Sequence, residues 1–121
     1  MSVRRWLPPL LWAGVILVIT SMPGSLVPSA LTPFDKVVHF VMYGVFAALL
    51  AYQAITDMGS WRGTFIALAV AAAFGAADEW HQAFIPGRSR DLKDWQADTA
   101  GAIAGVLIAA AYRRGRTSRS Q

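Results

Sequence analysis

The chain has 121 residues, 55% of them apolar and 15% charged, with a net charge of +4 and no cysteine. That length supports one folded unit rather than several, and the missing thiols exclude disulfides, cysteine nucleophiles and Cys-based metal centres. The basic residues gather at the ends of apolar segments, a membrane-topology pattern that argues against nucleic acid as a partner.

Arg4-Arg5 opens the first apolar run, Leu7–Met22, with Pro8-Pro9 in the first turn, where a helix tolerates a missing amide. The spacing predicts a helix over about residues 6–22, short for a span but anchored by Trp6 at the interface. The basic start, short apolar run and Pro28-Ser29-Ala30 also fit a cleaved leader. Removal would leave an odd number of spans, so a retained helix is the reading taken. Met22–Pro33, with Pro23, Pro28 and Pro33 and no charge, is a connecting loop. Thr32-Pro33-Phe34-Asp35 reads as an N-cap, a proline at the first position and an acid in the first turn. The second helix is predicted over 35–55, followed by a turn over Asp57–Gly63 and a third helix over 62–82 that ends before Pro86-Gly87. Asp91 and Asp94 resemble a capping box for a fourth helix over 93–112. Residues 1–112 thus form the membrane domain, and 113–121 a basic, disordered cytoplasmic tail.

The fold class is all-α, an integral membrane bundle of four transmembrane helices with both termini cytoplasmic. With that arrangement the inner side carries Arg4, Arg5, Arg62, Arg113, Arg114, Arg116 and Arg119 against one acid, Asp57. The outer side carries Lys36, Arg88, Arg90 and Lys93 against Asp35, Asp78, Glu79, Asp91, Asp94 and Asp98. This obeys the positive-inside rule and places the chain in the inner, or plasma, membrane. Trp6, Trp61 and Tyr112 fall at the inner boundary and Trp80 and Trp95 at the outer.

The chemistry concentrates between Gly75 and Gly105, where five carboxylates, two arginines, a lysine and a histidine interrupt the apolar sequence. Charge at the edge of a membrane segment is costly and marks a candidate site. Asp35, His39 and Tyr43 recur every fourth residue on one helical face, as do Asp94, Asp98, Gly101 and Gly105. Gly75, Asp78, Glu79 and Gln82 share a face of the third helix. Asp78 and Glu79 lie in its last turn, where the helix dipole disfavours acids. Arg88 and Arg90 are the nearest cations able to grip them bidentately. A purely structural ion-pair network explains the same residues. Gly101-x-x-x-Gly105 is a close-packing motif that offers a surface to a partner helix.

Asp35-Lys36-Val-Val-His39-Phe40-x-x-Tyr43, Asp78-Glu79-x-x-Gln82, Arg88-Ser-Arg-Asp91-x-x-Asp94 and Thr99-x-Gly101 together resemble the VanZ-like membrane proteins, over roughly residues 32–112. The resemblance implies a small multi-span helical protein related to an accessory of glycopeptide resistance associated with teicoplanin. Where that family often carries Asn, this chain has Asp98, which must be protonated or paired to substitute.

The expected site is one polar pocket at the outer leaflet, built from Asp35, Lys36, His39, Tyr43, Asp78, Glu79, Gln82, Arg88, Arg90, Asp91, Asp94 and Asp98. Its leading function is to bind or modify an anionic envelope lipid or wall precursor, with arginines matched to phosphate. An acid–base membrane enzyme using His39 with Asp78 or Glu79 is the alternative, a divalent metal held by carboxylates and His39 being one form of it. A structural, partner-binding subunit is the third. No cofactor is expected, and no residue is assigned as a metal ligand.

Overall fold

In the computed structural model, which describes residues 2–121, the apolar runs form α1 (Leu7–Thr20), α2 (Asp35–Met58), α3 (Ser60–Gln82) and α4 (Leu92–Arg119). Short 3-10 turns over Val3–Trp6, Gly24–Leu26 and Ser29–Phe34 precede the first two of the longer helices. Among the described residues there is no strand.

Small residues set the packing. Along α3 the buried positions include Gly63, Ala67, Ala71 and Gly75, spaced by four, and on α4 they include Gly101, Ala102, Gly105 and Ala109. Such stripes let helix backbones approach closely. A methyl on Gly101 would collide with the Phe40 carbonyl oxygen, and one on Gly105 with that of Gly44. The close-packing motif is therefore consumed by α2 of the same chain, which takes the face that the sequence offers to a partner helix. The α2–α4 seam is the largest in the molecule, α3 closes the other side, and α1 lies at the periphery. Trp12 Nε1 donates to the Met42 carbonyl of α2 at 2.9 Å, and Arg5 and Trp6 both reach Asp57, at 2.9 and 3.2 Å.

Four local expectations change. The 3-10 turn over Ser29–Phe34 runs through Pro33, so Thr32 caps nothing and Phe34 takes the N-cap position of α2. The link between α2 and α3 is one residue, Gly59, whose φ of +88° reverses the chain at a position that favours glycine. Only the first half of the Asp91 capping box forms: its side chain accepts from the Lys93 amide at 2.9 Å. The fourth helix does not stop at Tyr112 but continues to Arg119, so the basic tail is helical rather than disordered. Its arginines sit near the helix C-terminus, where the dipole favours cations.

The exterior is apolar: Leu11, Val18, Phe65 and Ile108 are each about two-thirds exposed, at 68, 69, 66 and 67%. His39, Asp78, Glu79, Gln82, Asp94 and Asp98 are buried. That inversion of a water-soluble fold suits hydrocarbon outside and polar groups facing the bundle interior. The segments Val3–Thr20, Ser29–Met58 and Ser60–Gln82 are long and apolar enough to cross a membrane, whereas α4, with its two acids and terminal arginines, is not among them. Trp61, Trp80 and Tyr112 stand exposed, but Trp95 turns inward and donates to the Ala72 carbonyl of α3 at 3.0 Å.

The seam makes a prediction. Gly105→Ile should lower the melting temperature of the purified protein sharply, overpacking typically costing about 1–3 kcal/mol or more. Gly14→Ile, where no atom lies within 4 Å of the added Cβ, should melt with the parent protein.

Candidate functional site

The α2–α4 seam sets a row of acids beside a histidine. His39, one residue before Phe40, places Nδ1 2.7 Å from Asp98 Oδ1, both side chains being buried. Gly75 of α3 leaves room for this contact: a Cβ added there would crowd Asp98 Cβ and Tyr43 Cε1 at 3.3 Å.

Beside this pair, Asp78 is held by two hydroxyls. Thr20 Oγ1 stands 2.7 Å from Oδ1, and Tyr43 donates its phenolic hydrogen to Oδ2 at 3.1 Å. Thr20 is the residue that sequence reasoning missed. Its signal was present: it is the only polar side chain in Leu7–Thr20 apart from the indole of Trp12. Glu79 accepts the Asp91 amide on Oε2 at 3.2 Å, while its Oε1, like Asp98 Oδ2, is buried with no hydrogen-bond partner. That amide is the one a completed capping box would have used, so Glu79 of α3 caps α4 in place of Asp94.

Nearer the surface Lys36 gathers three carboxylates. Its ammonium bonds Asp94 Oδ1, Asp91 Oδ2 at 3.1 Å and Asp35 Oδ2 at 3.5 Å. The Lys93 amide, and after it the Lys36 ammonium, hold the Asp91 carboxyl below the usual carboxylate range. The pairs that Lys36 makes with Asp35 and Asp91 are exposed and each contributes little to stability.

A cleft of about 720 Å³ opens over these groups. Asp35, Lys36, His39, Gln82, Asp91 and Asp94 form its polar side, and Val27, Leu31, Val38 and Met42 line it with apolar surface. Of the twelve expected residues all but Arg90 lie in the cleft or in the polar core beneath it.

The arginines do not hold the acids of α3. Arg88 lines the cleft, yet its Nε donates to the Met22 carbonyl at 3.1 Å and Nη2 to that of Ile19 at 3.3 Å. The last carbonyls of a helix lack intrahelical partners and carry the negative end of its dipole. Arg88 bonds Ile19 in the last turn of α1 and Met22 just beyond it, a clasp on the end of that helix, and does not touch Asp78 or Glu79. Arg90 is exposed and makes no hydrogen bond or ion pair among the described residues. The acids at the end of α3 are thus stabilised by hydroxyls and an amide rather than by guanidinium groups.

This predicts a pattern of coupling. Tyr43→Phe and Thr20→Val should each destabilise by about 1–3 kcal/mol, the usual cost of leaving a buried acceptor unmatched. A cycle of Tyr43→Phe with Asp78→Asn should depart from additivity, whereas Arg88→Ala with Asp78→Asn should be additive within about 0.5 kcal/mol. Thermal melts of the four single and two double variants measure both.

A family model described as VanZ/LLP1 matches residues 6–113 of the chain. No curated protein and no solved structure matches it.

Proposed function

The chain belongs to the VanZ/LLP1 family, and on that footing we propose that it binds the headgroup of an anionic envelope lipid, or of a lipid-linked wall precursor, in the cleft between α1, α2 and the loop before α4. The observation that carries this reading is the two-sided lining of the cleft. Val27, Leu31, Val38 and Met42 offer apolar surface for a hydrocarbon chain, and Lys36 and Arg88 supply cations beside it. Arg90 lies in the same loop, between the lining residues Ser89 and Asp91, and is free to meet a phosphate as the ligand arrives.

In this reading α4 is a fourth span. Its 28 residues reach about 42 Å at 1.5 Å per residue. Its acids are pressed inward on α2 and α3, and Ile103, Leu107 and Ile108 face outward. Both termini are cytoplasmic, the cleft opens at the outer leaflet of the inner or plasma membrane, and glycopeptide susceptibility is the cellular property it affects. The absence of native cysteine makes the topology directly testable. Single cysteines at Ser29 and Ser89 should react with an impermeant thiol reagent in intact cells, and one at Ser118 should not. The reverse labelling pattern would invert the arrangement.

Ligand binding has its own test. Phosphatidylglycerol or a polyprenyl phosphate, added to the protein in neutral detergent, should raise its melting temperature, and phosphatidylcholine should not. Arg90→Gln should reduce that rise. An equal response to neutral and anionic lipid would remove the reading.

The His39–Asp98 pair supports a second reading, an acid–base enzyme acting on a phospho-lipid. A carboxylate fixing one nitrogen of an imidazole leaves the other to move a proton, the arrangement used by general bases. His39→Gln should then spare lipid binding and lower turnover by roughly 10²–10⁴-fold.

A further inference from the structure

The acids of the site outnumber its cations. We propose that Asp35, His39 and Asp94 bind one divalent metal ion at the floor of the cleft, with Asp98 as the residue that positions the histidine. The proposal concerns the ion alone and holds whichever amphiphile fills the cleft.

Asp35 Oδ1 and Asp94 Oδ2 each lie 3.8 Å from His39 Nε2, and one donor atom from each residue falls within a mutual span of 4.8 Å. Ligands bound to one ion at about 2.0–2.2 Å are necessarily about 3–4.4 Å apart, so small side-chain movements complete the set. Lys36 contributes to this geometry. It takes Asp94 Oδ1 and Asp35 Oδ2, which leaves the other oxygen of each carboxylate turned toward the imidazole.

The histidine supplies the independent observation. His39 is only 3% exposed, yet Nε2 makes no hydrogen bond among the described residues and its ring lines the cleft. Its Nδ1 is engaged by Asp98, so a ring that donates there carries its lone pair on Nε2. A carboxylate that holds the far nitrogen of a histidine is the usual support behind a metal ligand, fixing the tautomer and raising basicity. Asp98 thereby accounts for a buried acid on α4 that the apolar seam has no packing reason to hold.

His39 also lies close to Glu79 and Asp98. That grouping is the weaker one, because Nδ1 is already committed there and neither acid lines the cleft. One nitrogen and two carboxylate oxygens suit Zn²⁺ or Mn²⁺ better than Ca²⁺, which takes oxygen ligands in greater number. Three protein ligands leave coordination positions facing the cleft, where a phosphate oxygen or water completes the shell. The ion would offset the negative charge that Asp35, Asp91 and Asp94 present there and that Lys36 offsets only in part.

The test uses the full chain in detergent, stripped with chelator and free of added lipid, titrated with MnCl2 while electron paramagnetic resonance reports free Mn²⁺. One ion per chain should bind, and ZnCl2 should displace it. Asp94→Asn and His39→Gln should each weaken binding by at least about 10-fold, and Asp98→Asn by about 10–100-fold through the histidine. Melts without metal establish that each variant is folded; if His39→Gln does not fold, Asp35→Asn at the open edge of the site decides in its place. A folded parent protein that binds no Mn²⁺, or binding that survives in Asp94→Asn and in the histidine or Asp35 variant, overturns the proposal. Mn²⁺ bound with no response to anionic lipid would leave the ion site standing and remove the lipid reading alone.

Discussion

Carboxylates can be packed into the end of an apolar helical bundle only if each finds hydrogens or positive charge, and every element here supplies some. The shortest of the buried contacts between side chains of α2 and α4 is His39 Nδ1 to Asp98 Oδ1, at 2.7 Å. It requires α2 and α4 to approach until Gly101 and Gly105 touch backbone, and Gly75 on α3 keeps the contact uncrowded. Once those distances are set, Tyr43 and Thr20 reach Asp78, and Glu79 reaches the amide of Asp91. An uncompensated buried charge costs several kcal/mol even in proteins that water surrounds. The polar core thus depends on the small-residue stripes, and the stripes would have little to enclose without it.

The same logic explains why the protein is apolar outside and acidic within. Hydrocarbon solvates neither a carboxylate nor a broken backbone hydrogen bond. Acids placed on the inward faces of α2, α3 and α4 are screened by each other's partners, and the outward faces remain free for Leu, Val, Ile and Phe. Where the bundle meets its polar boundary, Lys36 is exposed, Asp91 is half-buried and the cleft begins.

Much of this was legible in the residues. Spacing by four put Asp35, His39 and Tyr43 on one face and Asp94, Asp98, Gly101 and Gly105 on another, because periodicity is a local property that a sequence records directly. Partner choice is not local. Proximity in sequence pairs Arg88 with the acids of α3, but the carbonyls of Ile19 and Met22 at the end of α1 hold it. Thr20 carries no local sign of its role, because its partner, Asp78, is 58 residues away. Thr32-Pro33 looked like a helix start on the strength of two residues, and the 3-10 turn before α2 used the same proline differently. The basic end of α4 looked like a tail because composition does not reveal that a helix already under way can continue through arginines.

The clasp at the end of α1 has a consequence for the order in which the chain is made. Met22 and the guanidinium that satisfies its carbonyl are separated by 66 residues, and Gly24 bonds to the carbonyl of Pro86 in the same loop. The Ser21 and Met22 amides cover the Leu17 and Ile19 carbonyls locally, but the Met22 carbonyl gains its guanidinium partner only after two further helices and a turn have been made. Position 88 therefore acts as a late fastening, added to the bonds that Trp12, Thr20, Arg5 and Trp6 already make to Met42, Asp78 and Asp57.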